Sequence, residues 1–261
     1  MQRIFLFGDN RGIPELLARI DTGRIAALVA SAIRPAYHEM LRRLAADHGV
    51  PLLIQPRFSD AGAYREFAAA AAALKPDGLI CHSYAMLLRG DILALVEGRA
   101  FDVQFSLLPR HRGPDPVQWA LIHGDARAGV SLHVMGEDFD NGAIVAQQSL
   151  EIGEDDTWSS LLDRLHVLSN RLLDEALPDL LAGRWAARPQ DEAAALTNAR
   201  ITPDSLPIRF SAMSDRQVFN LIRAQVAPLA GAYLDTAEGP VRFTSFVPFS
   251  QICEIRRRYE N

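Results

Sequence analysis

Residues 102–144 read DVQFSLLPRHRGPDPVQWALIHGDARAGVSLHVMGEDFDNGAI, and this stretch decides the fold. The run from Phe101 to Phe105 is short and apolar-rich, with Asp102 and Gln104 two residues apart. On a strand, that spacing sets both polar side chains on one face. Ser106-Leu107-Leu108-Pro109 ends the strand at a proline and turns the chain. Arg110, His111 and Arg112 precede Gly113 and two prolines, which makes a rigid basic loop. Val117 to His123 has helical spacing of apolar residues, and Val130 to Met135 alternates as a strand. Glu137, Asp138 and Asp140 then cluster in a turn closed by Asn141-Gly142.

Upstream, strand patterns at 3–7, 25–29, 51–54 and 78–81 alternate with helical patterns at 13–20, 35–48, 64–74 and 86–96. This alternation predicts right-handed crossovers and a doubly wound α/β domain with a mostly parallel sheet. Ligands of such sheets bind beyond the carboxyl ends of strands. Two such ends matter here, His82-Ser83-Tyr84 and residues 102–105. Gly8 and Gly12 do not complete a G-x-G-x-x-G pattern, so the first turn reads as a tight turn rather than a dinucleotide loop. Downstream come a strand at 144–150, a long amphipathic helix at 158–181, and an Ala-rich polar connector. A helix at 217–224 and short strands at 232–234, 241–246 and 252–255 follow. The expected organisation is an α/β domain over 1–183, a linker over 184–201 and a small β-rich C-terminal module over 202–261.

The 261 residues are 49% hydrophobic and 23% charged, enough for one large core and a small second one. A net charge of −5 argues against nucleic acid or an anionic membrane as the main partner. No apolar run reaches spanning length, and Ile4 to Phe7 is too short for a leader core. Cys81 and Cys253 sit in apolar runs without ligand spacing, so reduced thiols and no metal are expected. These features predict a cytoplasmic protein.

The motifs carry a resemblance. Ser106-Leu107-Leu108-Pro109, Arg110-His111-Arg112-Gly113, Pro116-Val117-Gln118-Trp119, Gly129 to Met135 and Asp140-Asn141-Gly142 follow in an order that resembles the folate-dependent formyltransferases. That family includes methionyl-tRNA formyltransferase and the sugar-nucleotide N-formyltransferases. An ordered match over roughly forty residues is far more specific than one short motif. The resemblance implies a formyltransferase-type fold and 10-formyltetrahydrofolate as co-substrate. It implies a small-molecule amine as acceptor, such as an amino sugar nucleotide, and leaves room for a homodimer. The acidic balance and short tail point away from tRNA. The resemblance places the folate at His82, Ser83, Tyr84, Leu108, Pro109 and Glu137, and the acceptor at His111, Arg112 and Gly113.

The family's catalytic Asn falls on Asp102 and its catalytic His on Gln104, while its catalytic Asp is retained as Asp140. The expected cluster is therefore Asp102, Gln104 and Asp140. Formyl transfer needs a free amine, a donor for the oxyanion and a base for the amine proton. Three arrangements stay open. Burial beside Asp140 makes a shared-proton pair, or the Gln104 amide donates while a carboxylate acts as base. Alternatively, Asp102 and Gln104 only bind loop backbone. His133 reads as a packed, hydrogen-bonded strand histidine. A binding protein without turnover, or a transferase of another one-carbon unit, are the competing functions.

Overall fold

The computed structural model describes residues 1–136 and 140–260. Glu137, expected in the folate pocket, lies outside the described residues. The central sheet has seven strands: β1 (Ile4–Gly8), β2 (Ile25–Ser31), β3 (Leu52–Gln55), β4 (Gly78–His82), β5 (Ala100–Gln104), β6 (Arg127–Val134) and β7 (Ile144–Glu151). Their order is β3-β2-β1-β4-β5-β6-β7. Pairing is parallel from β3 through β5 and antiparallel between β5 and β6. This is the doubly wound, mostly parallel α/β sheet that the alternating strand and helix patterns predict. The strand carrying Asp102 is internal, between β4 and β6.

Strands β1, β2 and β4 are buried at every residue, as expected of a parallel sheet covered on both faces. Phe5, Phe7, Val29, Leu79 and Cys81 form one core cluster with Tyr64 and Phe67 of α3 (Ala61–Ala73). The remaining helices are α1 (Gly12–Leu17), α2 (His38–Asp47), α4 (Gly90–Leu93), α5 (Pro116–His123), α6 (Trp158–Leu181), α7 (Asp215–Arg223) and α8 (Ile252–Tyr259). A separate antiparallel pair, β8 (Ala232–Thr236) and β9 (Gly239–Phe243), stands near the C-terminus.

Two expected elements are corrected. Residues 252–255, expected as a strand, begin helix α8. Ile252, Ile255 and Tyr259 pack on one hydrophobic cluster, and their spacing of three and four is helical. The helix expected over 86–96 is only α4 followed by a 3-10 turn at Ala94–Val96. Arg89 is extended, and the Leu87 carbonyl accepts from Gln55 Nε2 at 3.1 Å, so the chain stays open before Gly90.

Contacts divide the chain into two units. The first holds residues 1–104, 130–148 and 169–192; the second holds 105–129, 149–168 and 193–261. The second has its own core of Phe219, Ile222, Ile208, Leu234 and Ile252.

Candidate active site

In the first unit, β5 delivers Asp102 and Gln104, as the two-residue spacing predicts. Cross-strand register adds a third residue, because Asp102 lies opposite His133 on β6. Opposed residues of an antiparallel pair project to the same face. The turn after β6 brings in Asp140, held at φ 52° in the left-handed region. Gly142 closes that turn; a Cβ there would sit 1.6 Å from the Val134 carbonyl oxygen, so no larger residue fits. Gln190 Nε2 donates to the carbonyls of Asp140 and Gly142, each at 2.7 Å, and pins the turn.

Asp102, Gln104 and Asp140 therefore come together as expected. Gln104 Nε2 donates to Asp140 Oδ2 at 2.5 Å. The unexpected member is His133, 2% exposed at its side chain. Its Nε2 lies 3.5 Å from Asp102 Oδ2 and 3.8 Å from Asp140 Oδ1. These are ion-pair separations, too long for an N–H···O hydrogen bond. The opposite ring atom, Nδ1, lies 3.0 Å from the Val134 carbonyl, which can only accept, so Nδ1 carries a proton. Burial lowers the His133 pKa, but the Asp102 carboxylate and then Asp140 outweigh it and hold it above the ordinary histidine value.

Asp102, His133 and Asp140 line a cavity of about 70 Å³ with Cys81, Tyr84, Met86, Leu87, Leu88 and Met135. Burial, then the charges of Asp102 and Asp9, push the Cys81 thiol well up, so it stays neutral. Tyr84, expected at the folate, does line this cavity, and its hydroxyl donates to Gln55 Oε1 at 2.9 Å. His82 is instead buried in the fold, with Nε2 3.1 Å from Ser169 Oγ and Nδ1 3.4 Å from Asn10 Nδ2. Ser83 sits at φ 51° between them.

The other expected residues belong to the second unit. Leu108 is buried, and the Pro109 carbonyl accepts from Leu196 N at 3.0 Å. Arg112 exchanges backbone hydrogen bonds with Leu196 and Asn198, and Gly113 sits at φ 85°. His111 Nε2 donates to Asp125 Oδ2 at 2.7 Å. A second cavity of about 320 Å³ is lined by Ser106, Arg110, His111 and Asp125. Trp119 Nε1 donates to the Ala199 carbonyl at 2.8 Å.

Sequence reasoning missed His133 as a member of the cluster. The available signal was the alternation Ser131, His133 on a strand able to pair with the Asp102 strand.

The strand order reverses between β1 and β4, and the polar cluster lies near the carboxyl end of the neighbouring β5, where doubly wound sheets bind their ligands. The formyl transferase family model matches residues 3–177, and the chain belongs to that family. Over 153 residues the chain is 43% identical to the methionyl-tRNA formyltransferase of Anaeromyxobacter dehalogenans, covering 59% of this chain and 47% of that protein. The chain thus spans about half the length of this curated relative. A 4-N formyltransferase from Francisella tularensis superposes with a TM-score of 0.77 at 15% identity, covering 94% of this chain and 98% of that one. The N-formyltransferase of Helicobacter canadensis, solved with folinic acid and dTDP-3-aminofucose, gives a TM-score of 0.72 at 16% identity, covering 91% and 85% of the two chains. At these identities the two structures establish the shared fold. Among the described residues, no helix is long and apolar enough to cross a membrane.

Proposed function

We propose that this protein is a folate-dependent N-formyltransferase that moves a formyl group from 10-formyltetrahydrofolate to an amino group of a small molecule. Amino sugar nucleotides are the favoured acceptor class, supported by the ligands of the Helicobacter canadensis relative. The observation that carries the reading is the convergence of Asp102, Gln104, His133 and Asp140 beside a cavity at the end of β5. The amine attacks as its free base, and a carboxylate of Asp102 or Asp140 takes its proton. The Gln104 amide, already oriented by Asp140, is the donor for the oxyanion. Tyr84, Met86 and Leu88 line the apolar side of the cavity, which suits an approaching folate ring. In the same reading His111, Arg112 and Gly113 shape the acceptor loop.

A second reading is favoured by Asp102 and Gln104, which stand where the family pattern has Asn and His. In it the protein keeps a folate or acceptor pocket without turnover. Calorimetric titration with folates, run beside a formyl-transfer assay over an amine panel that includes dTDP-amino sugars, separates the two. Binding with transfer supports the first reading and binding without transfer the second. Absence of folate binding overturns the first reading and the folate form of the second.

A further inference from the structure

We propose that Asp102, His133 and Asp140 form a three-donor site for a first-row divalent metal ion such as zinc or manganese. One carboxylate oxygen from each aspartate and the histidine Nε2 all lie within 4.8 Å of one another. The separations suit a metal ion as the bridging cation. At 3.5 and 3.8 Å, the Nε2–oxygen distances are longer than a hydrogen bond spans. Metal–nitrogen and metal–oxygen bonds are each about 2.1 Å, so two donors on one ion stand about 3.0 to 3.5 Å apart. The two Nε2–oxygen sides, 3.5 and 3.8 Å, lie at and just above that range, and all three donor atoms fall within 4.8 Å of one another.

The histidine is set up as a ligand. Its Nδ1 donates to the Val134 carbonyl at 3.0 Å, so Nε2 is the ring nitrogen left for a ligand bond. A second ring nitrogen held by a backbone carbonyl is the usual support of a metal-binding imidazole. Nε2 is fully buried and has no hydrogen-bond partner among the described residues. Nε2 faces two carboxylates, which together favour a cation between them. Gln104 supplies the support on the carboxylate side: it holds Asp140 Oδ2, while Asp140 Oδ1 faces His133. The cavity of about 70 Å³ has room for an ion and one or two waters, each water taking about 30 Å³.

Two hard carboxylate oxygens and one imidazole suit zinc, manganese or ferrous iron. Calcium prefers six to eight oxygens and is excluded by this donor set. Three protein donors leave positions for water or a substrate oxygen. The inference uses the same cluster as the proposed function, and an ion held there takes both carboxylates out of the base role; the metal alone is the probe, so its failure is distinct from failure of the folate reading.

The test uses the full chain, stripped with EDTA and dialysed, then titrated with Zn²⁺ and Mn²⁺ by calorimetry. Visible absorption with Co²⁺ reports the ligand field. We expect one ion per chain with a Kd in the micromolar range or tighter. Asp140→Asn and His133→Gln should each weaken binding by about tenfold or more, and Gln104→Leu by about tenfold. His48→Gln, at an exposed histidine, should leave it unchanged. The near-isosteric Asp102→Asn, with its fold checked by circular dichroism, guards against loss through unfolding. No saturable binding to the folded, stripped protein would overturn the proposal. So would stoichiometric binding that survives both Asp102→Asn and Asp140→Asn.

Discussion

Two histidine–carboxylate pairs in this molecule look alike in composition and differ in what they leave unmade. His111, in the second unit, donates from Nε2 to Asp125 at 2.7 Å, and Arg110 binds the other oxygen of the same carboxylate at 2.9 Å. That pair is closed: the imidazole and the guanidinium each meet a carboxylate oxygen of Asp125 at hydrogen-bond distance. His133, in the first unit, faces two carboxylates and reaches neither. That arrangement is open, and a cavity lies beside it. A closed pair stabilises the fold; an open one keeps its electrostatic demand for whatever enters the site.

The comparison can be broken most sharply at Gln104, the amide that orients the open cluster. Removing an oxyanion donor typically costs on the order of 100- to 1000-fold in rate. Steady-state assays of Gln104→Ala should show that drop in kcat, with the unfolding midpoint little changed. A change confined to stability would make the open cluster structural after all.

The closed pair should respond in the opposite currency. Asp125→Asn leaves buried His111, and exposed Arg110, without their charged acceptor, so stability should fall by about 1–3 kcal/mol in denaturant titration. An unchanged midpoint would show that the pair holds nothing together.

A smaller effect is the acid response of the same pair. Burial raises the Asp125 pKa, but hydrogen bonds and charge from His111 and Arg110 outweigh it and hold it below the ordinary value. A depressed carboxyl stabilises the fold above its unfolded pKa of about 3.9 and loses that contribution as pH falls through the lower folded value. The stability difference between the wild type and Asp125→Asn should therefore shrink below about pH 4. A difference that stays constant from pH 7 to pH 3 would remove the ionic part of the argument.

The same contrast explains what was legible in the sequence. The strands that build the sheet announce themselves as short apolar runs between helical patterns, and the Asp102 strand with its Leu108-Pro109 exit was readable from spacing alone. Asp140 was readable through the resemblance, which sets the family's catalytic Asp there, and Asn141-Gly142 marked its turn; in the structure Gly142 packs too tightly against Val134 for any side chain. His133 was not readable as a site residue, because its position depends on the register between β5 and β6, separated by more than twenty residues. A strand histidine carries no local sign of what stands opposite. Helix α8 was misread because a four-residue apolar window fits either period, and only Tyr259 extends the helical one. Gln190 pins the Asp140 turn from a connector whose composition says only that it is polar.

The most direct test is Asp140→Asn, the one family catalytic residue retained in this chain. Folate affinity should be measured by calorimetry and formyl transfer by single-turnover assay with an accepted amine. The account predicts folate binding within a few-fold of wild type and transfer slowed by at least about 100-fold. Transfer at the wild-type rate in a folded, folate-binding variant would contradict it.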